Sequence, residues 1–320
     1  MSKAKKLWLI IGAVLASVGL FIFIGVMAAL NFDFSKLSMA EYETNVYEAE
    51  GNFNKILIDV KTTDIAFLPS DNEKCRVVCY EQERLKHSVR VKDGALMIDT
   101  ADTRKWYEHI GVFFGGMKMT VYLPKKEYAS LVVASNTGDV EIPDNFTFEN
   151  IEITGHTGDV TCHGSALNTI KIKMSTGDIT TDTLLAEDIN LSTSTGDINI
   201  GSVTAKGSIK AETNTGKVRL TDVTCMNFSA ESSTGDIILR NVAASESFSI
   251  RSSTGDVEFE NSDASQIFVK TSTGDVTGSL LTEKIFITET STGDISVPKS
   301  TTGGKCEIKT STGDIEIYVR

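Results

Sequence analysis

A four-residue phrase, Ser-Thr-Gly-Asp, returns with small variations through the second half of this chain, and few folds accommodate such a period. Its glycines are Gly138, Gly158, Gly177, Gly196, Gly216, Gly235, Gly255, Gly274, Gly293 and Gly313, always 19 or 20 residues apart. A unit this short cannot bury an apolar face alone, but stacked units share one continuous core. A fixed period near 20 therefore predicts a solenoid.

Aligning the copies on the glycine shows where the apolar side chains fall. Two residues after it stand Val140, Val160, Ile179, Ile198, Val218, Ile237, Val257, Val276, Ile295 and Ile315. Four after it, seven of ten are clearly apolar, among them Ile142, Leu220 and Phe259. Seven and five before the next glycine comes a second pair of columns, for example Ile151 and Ile153, Ile170 and Ile172, Ile189 and Leu191. Alternation rich in β-branched residues means strands with one buried face. The one-residue variation in period falls between the two strands, where a loop absorbs it. The expected fold is all-β: a parallel β-solenoid of about ten coils, each with two main strands, forming a rod roughly 50 Å long at ~4.8 Å per coil.

The phrase itself predicts a corner. Glycine supplies a backbone conformation that side chains disfavour, while Ser, Thr and Asp bond to nearby backbone groups. Asp follows the glycine in nine copies and Lys217 in the tenth. Neighbouring carboxylates one strand apart repel by about 1 kcal/mol in water, so weak cation binding by Asp178, Asp197, Asp236, Asp256 and Asp275 is one reading. Calcium takes 6–8 oxygens, more than one carboxylate per coil supplies, so the aspartates read first as turn residues.

Residues 1–6 carry Lys3, Lys5 and Lys6, and Leu7 to Leu30 is an uncharged run of 24. At 1.5 Å per residue this run spans about 36 Å, enough to cross a ~30 Å hydrocarbon core with some tilt. The amino-terminal positive flank predicts a single-pass signal-anchor with a cytoplasmic N-terminus and an extracytoplasmic remainder. The run is longer than the apolar core of a cleaved signal peptide. Residues 31–51 read as a stalk, 52–133 as an irregular β-rich cap, and 134–320 as the regular solenoid. Within the cap, Thr62-Thr63-Asp64-Ile65 looks like a degenerate first copy of the phrase. The aromatic stretch from Trp106 to Phe114 interrupts the strands and is expected to pack over the solenoid end.

The chain has 31 basic and 43 acidic residues, for a net charge of −12. Such a surface offers no footprint for nucleic acid. Five scattered cysteines do not make a disulfide framework, and Cys75 and Cys79, about 13 Å apart along one strand, are too distant to bridge. His156, Asp159, Cys162 and His163 are the one metal-like grouping, but their places in the repeat need not converge. No nucleophile motif or phosphate loop is present, so neither catalytic residues nor a cofactor is expected.

The anchor, the irregular lead-in and the phrase at Ser175-Thr176-Gly177-Asp178-Ile179 with its copies resemble the bacterial adhesin-like β-strand-repeat proteins called toastrack domains. The resemblance covers roughly residues 50–320. It implies a role in the cell envelope, as a scaffold, sensor in a stress response, or adhesive surface, with an envelope protein or polymer as partner. A carbohydrate-active or carbohydrate-binding β-helix is the alternative, with Lys217, Arg219, Arg240 and Arg251 as its nearest candidates; ice binding by Thr arrays is a third reading. The last copy leads into Ile315, Ile317 and Val319, which are expected to form an unpaired edge that joins a second copy or a partner.

Overall fold

The computed structural model describes residues 3–32, 41–103 and 116–320. Helix α1 spans Lys3–Ala29, with apolar side chains such as Trp8, Phe21 and Ile24 exposed and Met27 buried near its end. The Ser17 hydroxyl bonds back to the Ala13 carbonyl at 2.8 Å, so this polar group is satisfied within the helix. The segment Lys5–Ala29, with mean hydropathy 2.7, is long and apolar enough to cross a membrane.

The rest of the described chain is a parallel β-solenoid of about ten turns. Each central coil has three sides rather than the two main strands expected. After Gly177, for instance, come Ile179–Asp182, then Leu185–Ala186, then Asp188–Thr195. The extra corner sits six residues after the glycine, where Thr183, Ser202, Asp222, Asn241 and Asn261 all have positive φ. The short third side adds its own buried column of Ala186, Ala205, Cys225, Ala244 and Ala264. The predicted columns fill the remaining core, with Phe228, Phe248 and Phe259 in a run of ring contacts at 6.1 and 6.2 Å. All five cysteines are buried and unbridged; burial pushes their thiols up to about 12.

Before the regular repeats lie seven strands: β1 (Tyr42–Ala49), β2 (Lys55–Pro69), β3 (Cys75–Gln82), β4 (Leu85–Lys92), β5 (Ala95–Asp102), β6 (Met117–Leu123) and β7 (Glu127–Thr137). The division at residue 133 does not separate cap from solenoid. β2 is itself a coil, pairing in parallel with β7 on one side and with β5 and β6 on the other. The end is then closed by antiparallel strands: β4 on β5, β3 on β6, and β1 on β3. Tyr42–Ala49, read as stalk, is thus the outermost capping strand. The aromatic stretch from Trp106 to Phe114 lies outside the described residues.

At the other end the coils are not stacked in chain order. The strand Asp263–Lys270 pairs with Gly304–Lys309, and only beyond that lies Lys284–Glu289. Likewise Ile315 is flanked by Val276 on one side and Ile295 on the other. The final coil therefore inserts between its two predecessors. Gly303 and Gly304 make the threading feasible, since a Cβ on them would overlap the carbonyls of Glu283 and Ser265. This corrects the expected edge at Ile315, which is paired on both sides; Ile317 and Val319 pair on one side only, with Gly278 and Leu280, Ile317 being buried and Val319 half-buried. The open edge belongs to the coil of Lys284–Glu289 and Ile295–Ser296.

Candidate functional site

Three places could carry function: the repeated corner, a polar cluster in the cap, and the open tip. At the corner, every glycine of the phrase has φ between +131° and +148°. In the central coils a Cβ would also overlap the carbonyl of the preceding glycine, as at Gly216 over Gly196. Glycine is thus required by conformation and by close approach together. The aspartate has an equally specific task. Its backbone N–H is taken by the carboxylate of the coil before: Asp178 N–H by Asp159 Oδ1, Asp197 N–H by Asp178 Oδ1 and Lys217 N–H by Asp197 Oδ1, each at 2.8 Å. The same bonds join Asp236 to Asp256, and Asp256 to Asp275. The chain of bonds runs on from Asp275 to Asp314 and then back to Asp294, reporting the inverted coil order.

This ladder accounts for the aspartates as backbone caps. One oxygen of each aspartate except the terminal Asp294 is committed to the next coil, and repulsion is relieved where the Lys217 ammonium meets Asp236 at 2.9 Å and the Arg219 guanidinium meets Asp197 at 2.8 Å. Both carboxyls are held below the usual carboxylate range. For Asp197, burial opposes the shift and is outweighed by the Lys217 N–H and Arg219; for Asp236, the Lys217 hydrogen bond is the main cause. Replacing Asp178 by Ala should cost about 1 kcal/mol, the worth of one such bond, whereas Asp178→Asn retains the acceptor and should cost less. Chemical denaturation of the two variants checks this; equal losses would mean that charge, not capping, is the aspartate's contribution.

The sequence-predicted metal-like grouping disperses. Cys162 is buried, His156 is exposed, and His163 Nδ1 lies 3.0 Å from the Asp182 carbonyl. The basic residues weighed for carbohydrate chemistry are also spread out. Lys217, Arg219 and Arg240 each face an acid on another coil rather than lining a groove.

The cap holds a cluster that the sequence reading missed. Glu81, fully buried, accepts bonds from Tyr47 Oη at 2.6 Å, Asn45 Nδ2 at 2.8 Å and the His87 N–H at 2.7 Å; His87 Nδ1 lies 2.6 Å away. His87 Nε2 faces Thr63 Oγ1 at 3.1 Å. Cys79, Glu81 and His87 bring one ligand atom each within 4.8 Å of one another. The carboxylate already has four donors and the thiol's burial disfavours the thiolate, so the cluster suits a satisfied polar core better than a metal centre. Alternation could have flagged it: Cys75, Val77 and Cys79 point inward, and Glu81 continues their parity.

At the tip, the outer side of Lys284–Glu289 pairs with no strand among the described residues. Ile285, Ile287 and Ile295 are 42%, 46% and 46% exposed, and Phe286 and Val297 are only partly covered. Lys284 does not guard this edge, because its ammonium is buried against Asp263 Oδ1 at 2.6 Å.

The family described as Toastrack DUF4097 matches residues 53–221 and 206–320. Among solved structures, the chain is similar to a "putative adhesin" of Bacteroides fragilis at 19% identity, covering 87% of this chain and 97% of that one, with a TM-score of 0.44. It is similar also to a "putative lipid binding protein" of Parabacteroides distasonis at 16% identity, covering 88% and 98%, with a TM-score of 0.45. No curated protein matches the chain.

Proposed function

The chain belongs to the Toastrack DUF4097 family, and on that footing we propose that it is a membrane-anchored, extracytoplasmic interaction rod without catalytic activity. Its place is the cell envelope, where it holds an adhesive or scaffolding surface away from the bilayer. One observation carries the reading: the two ends of the rod differ. The end closed by antiparallel strands follows the apolar helix, with residues 30–41 between Ala29 and Tyr42, while the opposite end exposes apolar side chains and unpaired backbone. Lys3, Lys5 and Lys6 before the apolar run favour a cytoplasmic N-terminus, and so an external rod. Among the described residues, the repeated corner groups are spent on bonds between coils rather than gathered for chemistry, which supports an interaction role.

Cell fractionation tests the anchor. The full chain should remain with membranes after an alkaline wash, and a chain lacking residues 1–32 should be released in soluble form. Protease added to intact cells should digest the rod. A truncated chain that still sediments with membranes, or a rod protected in intact cells, would overturn the anchoring and its sidedness respectively.

A further inference from the structure

The tip has three properties that point to one occupant. Its outer strand offers a row of free backbone donors and acceptors, a template for another strand. The core behind it is open, with Ile295 exposed and Phe286 and Val297 half-covered. Its outward face is also apolar, where most other coils are polar. At the positions of Ile285 and Ile287, the preceding coils carry Asn150 and Glu152, Thr169 and Lys171, Asp188 and Asn190, and Ser208 and Lys210. A coil that only had to finish a soluble rod would have no use for two outward isoleucines.

We propose that two copies of this chain join tip to tip, pairing Lys284–Glu289 antiparallel with the same strand of the second copy about a two-fold axis. This rests on the tip described under the proposed function, and names its partner. The strand is self-complementary in that arrangement. With Phe286 facing its own copy, Ile285 lies opposite Ile287 of the partner on the outer face, and Lys284 opposite Thr288 on the inner one. Cross-strand pairs of this kind put apolar on apolar at the three central positions, while Glu289 falls opposite Glu283 of the partner at each end, a like-charge pair that further weakens the contact. A two-fold contact of one patch with itself also closes, so it yields a dimer and not a filament.

Size sets the strength. The end coil of about twenty residues is at the lower limit for one side of a standard interface, so a single tip contact is weak and reversible. Many anchored rods facing one another would gain from avidity.

The test uses the full chain in detergent micelles. Sedimentation should show a concentration-dependent monomer–dimer equilibrium, and the double substitution Ile285→Lys and Ile287→Lys should weaken it at least about tenfold. Both side chains are exposed, so circular dichroism and the melting temperature should stay unchanged. Separately, Phe286→Cys should give a disulfide-linked dimer on mild oxidation. The five native thiols, buried and pushed up to about 12, give no background. A monomer at all soluble concentrations, a dimer indifferent to the lysines, or no cross-link at residue 286 would each overturn the proposal. Loss from the membrane fraction would instead defeat the anchor and leave the tip contact standing, so the two failures are distinguishable.

Discussion

Gly216→Ala should be among the most damaging single substitutions in the rod, costing about 3–5 kcal/mol. Two penalties coincide at this residue. Its φ of +148° is strained for any L side chain, and the added Cβ would overlap the Gly196 carbonyl of the neighbouring coil. The overlap is with backbone on a tightly hydrogen-bonded level, so relief means separating two coils. The Gly196 carbonyl also accepts the Thr213 hydroxyl at 3.0 Å, and that bond would be lost as the coils part. Gly94 is the internal control. It sits with Asp93 in the two-residue hairpin turn between β4 and β5, at φ +75°, with open space where a Cβ would lie. Gly94→Ala should therefore cost about 1 kcal/mol, from conformation alone. Denaturant unfolding of the two variants, followed by circular dichroism, measures the difference. Equal losses would mean that close approach of coils contributes nothing and that φ alone demands glycine.

The second large effect is expected at Glu81. Replacing it by Leu removes the common acceptor of Tyr47, Asn45 and His87 and should cost about 3–5 kcal/mol, the usual result of breaking a buried charged network from one side. The same carboxylate makes stability depend on pH. Burial by itself would raise its pKa, but the bonds from Tyr47, Asn45 and His87 outweigh it and hold the group below its ordinary 4.5. A carboxyl with a depressed folded pKa binds fewer protons folded than unfolded. Its contribution is therefore complete above about 4.5 and is lost as pH falls through the lower folded value. Unfolding curves of the wild type and Glu81→Gln should differ most near neutral pH and converge in acid. A gap that stayed constant down to the folded pKa and below it would show that the carboxylate's charge is not what the network uses.

Much of the architecture is legible in the residues themselves. Except around Gly293 at the open tip, the buried columns two after and seven before each glycine are where alternation puts them, and the corner glycines have the positive φ their recurrence implies. The third side of the coil was hidden because it rests on a short pair of residues, too short for alternation to register. The role of the aspartates was half visible: a turn residue by type, but a cap for the next coil only once the coils are stacked. Glu81 and His87 lie six apart in sequence, on β3 and β4, and meet because a tight turn folds one strand onto the other's end. Nothing in a one-dimensional pattern announces that pairing beyond the parity of Glu81.

The sequence by itself determined the unit: a coil of 19 or 20 residues, which side chains it buries, and why glycine turns its corner. A period can do this because each unit meets the same constraint from its neighbours. Which coil lies next to which was decided by the tertiary structure alone. Every coil presents nearly the same strand edges, so repetition is silent about order. The choice at the tip falls to singular contacts: Gly303 and Gly304 threading between two carbonyls, and Lys284 reaching Asp263. Those contacts bury Ile315 and leave Ile285 and Ile287 at the open end.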